Sequence, residues 1–501
     1  RPRAALARDT DGAIVAGGIR VELAERPTQG AAMTPRPATQ PAVVPLGFAV
    51  NLKSLSVSGA TLRWSDSYAG LEKPVELELF ADARLAGLVF ADKPAQTPPA
   101  TFEATLRMPT LIETLAAKGT IESSPRSVAV AVAARGSGIH AGTIASYFPD
   151  GIEPTLANGQ FSVNLEAAVA AAAEGGYSAR AVVRDLEYSD GEQLLAAVES
   201  AKFAASRIDL PGGVIALDEI SSAGVQTQVD LQEDFLPALL GVALRPARKP
   251  PATQPTEVIA LGAEPTGKTT PDVATIAAEA RKPLPLLTLD KLDLRLDRLT
   301  INNRAVPTAA PATLAEFTLQ NLNRLEWGGK TPQNQPATQF RFSGRIDPLV
   351  QAVRADAAVA PFVDQPSIRL RLQADGVRGQ GLTELVPQIS DLVDGRRLTD
   401  GRFNLAAEVQ LQPDRRGGVI DYTRGFGAEL TVHDTSFRNG ADGPVLAGVE
   451  QVHAAGVRVE PARGNVIVRT LEISKPSAYV LRDSSGIEAL GLLIKVLPTT
   501  P

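Results

Sequence analysis

The segment LDKLDLRLDRLTINN sets Leu292, Leu294 and Leu296 at alternate positions, with Asp293, Arg295 and Asp297 between them. In an extended strand successive side chains point to opposite faces, so this beat produces one apolar face and one polar face; a helix cannot gather residues spaced by two. The same beat runs through VELELF (Val75, Leu77, Leu79), GQFSVNLEAAV (Phe161, Val163, Leu165), SIRLRLQ (Ile368, Leu370, Leu372) and GNVIVRTLEI. Helical spacing is rare. In GLTELVPQISDLVDG, residues Leu382, Leu385, Val386, Ile389 and Leu392 share a helical face that Pro387 should bend. The closing SSGIEALGLLIKVL is a second short helix candidate. The expected fold is mainly β with a few short helices.

Self-similarity adds the next constraint. LKSLSVSGATL from Leu52 aligns with LDRLTINNRAV from Leu296, and PATFEATL from Pro99 with PATQFRFS from Pro336. NGQFSVNL from Asn158 aligns with DGRFNLAA from Asp400, and DEISSAGV from Asp218 with LEISKPSA from Leu471. The pairs keep their order and are offset by roughly 240 to 250 residues, as two tandem copies of one β-rich unit require. This divides the chain into an N-terminal segment with a Pro-rich loop (1–47), a first unit (48–235), a Pro/Thr/Ala-rich linker (236–285) and a second unit (286–501).

The linker holds GAEPTGKT, from Gly262 to Thr269, which fits the phosphate-loop pattern G-x-x-x-x-G-K-[ST]. A working phosphate loop follows a buried parallel strand and opens a helix whose amides hold the phosphates. Here Pro271 falls early in the would-be helix, and no further α/β units follow. No nucleotide is expected despite the match. Other chemistries lack their residues as well. There is no cysteine, which removes thiolate metal sites, disulfides and cysteine nucleophiles; this is compatible with an oxidising compartment, and cytosolic proteins can lack cysteine too. The histidines His140, His433 and His453 have no metal-ligand spacing, and no G-x-S-x-G elbow occurs. The chain is expected not to be an enzyme and to need no cofactor or metal. A net charge of -6 with intermixed signs and 5% aromatics gives no basic stripe or stacking platform, so no nucleic-acid partner is expected. No apolar run is long enough to span a bilayer. The sequence begins at Arg1 without a signal-peptide pattern, which leaves any leader or anchor outside it.

A sheet with one apolar face must cover it with another layer, close into a barrel, or leave a groove for a guest. Loop-rich connections and few aromatics favour a curved, open sheet over a filled barrel. Hydrocarbon suits such a groove, because burial stabilises by about 0.8 kcal/mol per methylene, more than about 10 kcal/mol for a whole acyl chain. The candidate lining is Leu77, Leu79, Phe161, Val163, Leu165, Leu292, Leu294, Leu296, Ile368, Leu370 and Leu372, and the candidate guest is phospholipid. The competing reading is a structural or docking module with sealed cores and no ligand.

Two stretches, LDKLDLRLDRLTINNRAV and VRVEPARGNVIVRTLEISKPSAYVLRDSSGIEAL, resemble the AsmA-like proteins of Gram-negative envelopes. Leu471, Ile473, Pro476, Val480, Arg482, Asp483 and Gly486 fit that family's strand-pair pattern, and VNLKSLSVSGATLRWSD, residues 50–66, is similar to its strand followed by a polar turn. In the first copy LDEISSAGVQTQVDLQEDF lacks the Pro and the Arg-Asp pair. The resemblance implies elongated, twisted antiparallel sheet with an apolar concave face. It also implies a periplasmic location, an inner-membrane anchor outside this sequence, and a part in phospholipid movement or outer-membrane assembly.

Overall fold

The computed structural model describes residues 3–495 apart from 10–12, 17–18, 22–49, 68–74, 91–97, 246–284, 330–334, 362–365, 412–424, 462–463 and positions 125, 150, 235, 391 and 441. The 262–269 string lies outside the described residues. In chain order the strands are β1 (Arg3–Arg8), β2 (Ile14–Ala16), β3 (Ile19–Val21), β4 (Val50–Asp66), β5 (Val75–Phe90), β6 (Ala100–Met108), β7 (Ile112–Ser124), β8 (Ser127–Ile139), β9 (Ile152–Pro154), β10 (Gly159–Ala171), β11 (Tyr177–Asp190), β12 (Gln193–Asp209), β13 (Val214–Leu231), β14 (Pro237–Leu239) and β15 (Val242–Leu244). There follow β16 (Leu286–Asn303), β17 (Ala312–Asn321), β18 (Leu325–Trp327), β19 (Thr338–Asp347), β20 (Val350–Ala360), β21 (Ser367–Val377), helix α1 (Gly379–Leu385), β22 (Val393–Asp394), β23 (Asp400–Gln410), β24 (Phe426–Arg438) and β25 (Val445–Glu460). The last are β26 (Asn465–Ile467), β27 (Thr470–Ser474), β28 (Ser477–Ala478), β29 (Val480–Asp483), β30 (Gly486–Ala489) and β31 (Leu492–Lys495).

The long strands form one open sheet that does not close into a barrel. Antiparallel pairing runs β4-β5-β6-β7-β8-β10-β11-β12-β13, each long strand beside its predecessor in sequence. At β13 the direction changes: β13 lies parallel to β16 from Val214↔Leu286 to Leu231↔Asn303. The antiparallel series then resumes as β16-β17-β19-β20-β21-β23-β24-β25-β27. Parallel neighbours need a crossover where antiparallel ones need only a hairpin, so the β13/β16 seam falls where the long 246–284 connection lies in sequence.

Each series closes its end in the same way. In the first, β14 and β15 form a hairpin through Leu240 (φ 53°) and Gly241 (φ 75°), and β15 pairs back onto β9. In the second, β30 and β31 join through Leu490 (φ 57°) and Gly491 (φ 77°), and β31 pairs back onto β22. Two consecutive left-handed residues match a type I′ turn, whose twist suits a tight hairpin. Even the flanking hydrogen bonds recur: Arg245 N–H donates to the Gly151 carbonyl and Lys495 N–H to the Leu392 carbonyl, both at 2.8 Å. Many of the best-shielded side chains, including Val75, Ile112, Ala141, Leu195, Ala243, Leu398 and Leu446, belong to the strand ends and turns on this side of the sheet.

The four matched sequence segments fall on β4 and β16, β6 and β19, β10 and β23, and β13 and β27, strands of like position in the two series. The ordered strands also enter the stretch read as linker, since β14 and β15 precede residue 246. The helix expected over SSGIEALGLLIKVL is overturned: these residues build β30 and β31. A short apolar run bounded by glycines does not distinguish strand from helix by period, and the left-handed Gly491 turns the chain back. GLTELVPQISDLVDG is helical only as α1 and a 3-10 turn over Pro387–Ile389, then passes into β22. Pro387 ends α1, since the residue before proline is driven out of the helical region and Val386 sits at φ -127°, ψ 73°.

One carboxylate in this second closure gives a pH prediction. Side-chain and backbone hydrogen bonds from Arg396 hold Asp394, on β22, at a pKa of about 2, below its ordinary 3.8. A depressed carboxyl stabilises the fold above its unfolded pKa, and that contribution disappears as pH falls through the folded value. Amides of β22 and β31 are therefore expected to lose hydrogen-exchange protection between about pH 4 and about pH 2, and the Asp394→Asn variant should lose this pH dependence.

Candidate functional site

Following facing residues from strand to strand yields one unbroken row across the whole sheet. It reads Leu55, Leu85, Phe102, Gly119, Val132, Leu165, Val183, Ala201, Ser222 through the first series. It crosses the parallel seam from Ser222 to Leu294, then continues Leu319, Phe342, Ala355, Leu372, Leu405, Val432, Val452, Ile473. Facing residues in a ladder point to the same side, so all of these share one face. Ser222 alone carries a polar side chain. With strands about 4.8 Å apart, the row is roughly 80 Å long.

A second row on the same face holds Ile121, Val130, Ala167, Phe203, Ile220 and Leu292, and beyond the seam Phe340, Leu370, Leu430 and Leu471. Leu165, Leu294 and Leu372 belong to the first row, and Leu292 and Leu370 to the second. Phe161 and Val163 flank Leu165 on β10, facing Gly136 and Ala134. Leu77 and Leu79 face Trp64 and Leu62, Leu296 faces Phe317, and Ile368 faces Val359 and Val409. Every residue chosen from the alternation thus sits on this face. The rows also contain residues that the sequence pattern did not single out, among them Phe102, Val132, Leu319, Phe342, Leu405 and Val432; their membership depends on register between strands.

No residue of the first row is buried; all but Leu55 and Ile473, which are exposed, are half-buried. Close contacts between elements run mainly between hydrogen-bonded neighbours, and among the described residues no second long sheet or helix stacks on this face. The side chains gain what cover they have by leaning on one another. The Phe161 ring lies over Gly136 and the Phe317 ring over Gly344, where an added Cβ would meet ring atoms at 2.4 and 2.7 Å. Gly344→Ala is accordingly expected to cost about 1–3 kcal/mol from overpacking, read as a lower denaturant midpoint.

One residue along each strand, the opposite face is polar: Asp293, Gln320, Arg341, Asp356 and Arg371 succeed one another across the second series. Ion pairs cross this face at Arg341–Asp356 (2.9 Å) and Arg184–Glu166 (2.5 Å). Hydrogen bonds from Arg295 hold the Asp293 carboxyl below its ordinary pKa, and one from Lys291 does the same for Glu219. A hollow of about 860 Å³ also lies on the polar side, where Arg84, Glu103, Lys118, Glu166 and Arg184 stand around the short Ala131 and Ala133. It is a relief between long and short side chains. The expected association of a concave surface with the apolar side does not extend to this hollow.

The histidines make ordinary local contacts. His140 Nδ1 meets the Ala157 carbonyl at 2.5 Å, His453 Nδ1 the Thr431 hydroxyl at 3.0 Å, and His433 Nδ1 its neighbour Asp434 at 3.1 Å. Among the described residues no group of three His, Asp or Glu side chains could hold a metal ion, and no helix is long and apolar enough to cross a membrane. Comparison with protein-family models, curated proteins and solved structures returns no match.

Proposed function

We propose that the protein is a non-enzymatic carrier that holds or moves phospholipid acyl chains along the apolar face of its sheet. The observation that carries this reading is the row from Leu55 to Ile473: apolar at all but one position, continuous through the parallel seam, and nowhere buried. Soluble proteins seldom leave a contiguous apolar surface larger than a few hundred Å² bare, so a face of this length calls for an occupant. Acyl chains suit it because they need no specific side chain, only length, and each covered methylene contributes about 0.8 kcal/mol. The polar reverse face supplies the solubility that such a carrier needs.

A periplasmic setting, anchorage to the inner membrane by a segment outside this sequence, and a part in envelope or outer-membrane maintenance rest on the AsmA-like resemblance. The absence of cysteine agrees with an oxidising compartment. Lipid extraction and native mass spectrometry of the purified protein should find bound phospholipid; protein that is lipid-free in every preparation would end this reading. It would favour the rival, a docking module for protein partners. The exposed Val466, Ile467, Leu471 and Ile473 on β26 and β27 speak for that rival.

A further inference from the structure

Ser222 carries the one hydroxyl of the apolar row, and it stands mid-sheet, where β13 meets β16. Its neighbour in sequence, Ser221, turns to the polar face and donates to Glu219 Oε1 at 2.8 Å. Ser222 turns the other way. Along the row it lies between Ala201 and Leu294, and on its own strand Ile220 and Val225 share its face, with the left-handed Gly224 (φ 66°) in the bulge that separates it from Val225. Every side chain around it is apolar.

Ser222 Oγ accepts a hydrogen bond from Arg295 N–H at 3.3 Å, and among the described residues its side chain makes no other. A hydroxyl both accepts and donates. Here the oxygen is engaged by the backbone of β16, while the proton has no acceptor among the described residues. Water serves that proton as long as the face is bare. A saturated chain laid over Ser222 expels the water and offers no acceptor, which costs free energy; an oxygen placed at the same point restores the bond.

The face also has room for a bulkier group here. Ala201 and Ser222 are the only two short side chains that stand next to each other in the row. Gly119 is overlain by the Phe102 ring, and Ala355 lies between Phe342 and Leu372.

We propose that Ser222 is a specificity position of the carrier: its O–H donates to an acceptor oxygen of the guest, either an ester carbonyl or a hydroxyl on the acyl chain, and so fixes where that part of the lipid rests. The hydrocarbon then extends over β12 and the strands before it, or over β16 and the strands after it. This inference rests on the carrier reading and adds to it a chemical preference that a uniformly apolar face does not have.

The test is a competition. Protein is incubated with vesicles holding equal parts of dioleoyl phosphatidylglycerol and its dioleyl diether analogue, which differ only in the ester carbonyls, then re-isolated and its bound lipid counted by mass spectrometry. The ester should exceed the ether by about tenfold, the equivalent of one hydrogen bond, and Ser222→Ala should bring the ratio to about one. Ser221→Ala, on the polar face, should keep the preference. A ratio is insensitive to partial unfolding, which lowers the uptake of both lipids together. A second pair, hydroxystearate and stearate, distinguishes the source of the oxygen: preference in the first pair assigns it to the ester linkage, and preference in the second pair alone assigns it to the chain. Equal uptake within both pairs, or a preference that survives in Ser222→Ala, overturns the proposal while the carrier reading stands. Protein that takes up no lipid from either pair ends both.

Discussion

Leu294→Asp should lower the phospholipid bound per molecule by about tenfold or more while leaving the protein folded. Both halves of the expectation come from the position of Leu294. It lies mid-row at the parallel seam, between Ser222 and Leu319, so a charge there interrupts the apolar path at its centre and would have to be desolvated beneath an acyl chain. It is also half-buried, on a face that carries no second layer among the described residues, so in lipid-free protein the carboxylate can reach water. The contrast is Leu289→Asp on the same strand. Leu289 is 5% exposed, and a carboxylate forced into that site should cost more than about 4 kcal/mol and unfold at least its own region. If Leu294→Asp proves as destabilising as Leu289→Asp, the face is sealed in solution and the carrier reading fails. Quantified lipid extraction beside thermal melts distinguishes the outcomes.

The second large effect is expected at the seam. Asp230 on β13 is 8% exposed, and its carboxylate accepts hydrogen bonds from Asn302 Nδ2 at 2.8 Å, from the Arg304 guanidinium, and from Gln193 Nε2 at 3.4 Å. Asn302 and Arg304 come from β16 or the residue beyond it, so the group fastens the two series together. Removing it with Asp230→Ala leaves these donors without their acceptor and should cost about 2 kcal/mol, held below the value for a fully buried pair because Arg304 is half exposed. Amide exchange along β13 and β16 should then accelerate by roughly thirtyfold, the equivalent of that energy. Exchange in β6 and β7 should be unchanged. A uniform acceleration would mean that the sheet opens as one unit.

The side-chain alternation was legible because it depends on one strand at a time. Leu292, Leu294 and Leu296 alternate in sequence and share a face in the structure because both follow from the pleat. Alignment across strands was not legible in the same way. The sequence match of NGQFSVNL to DGRFNLAA sets Leu165 beside Ala407, whereas the apolar row equates Leu165 with Leu405. A slip of two preserves the face, so side-chain pattern alone cannot detect it. Left-handed residues within strands add to the difficulty: Asp185 (φ 50°) lies at a bulge and shifts the register of β10 against β11. The apolar residues of SSGIEALGLLIKVL fit either period over so short a length, and the left-handed Gly491 decides for a hairpin. Phe102, over Gly119, and Phe317, over Gly344, join the apolar face through contacts between strands.

Since each long strand pairs with its neighbours in sequence on both sides, and only the β13/β16 seam departs from this, the sheet behaves as a one-dimensional stack. Stability in such a stack adds up locally, and no single nucleus need be complete before the rest can form. Damage to one strand should therefore stay within a few strands of its origin, on either side of the seam alike.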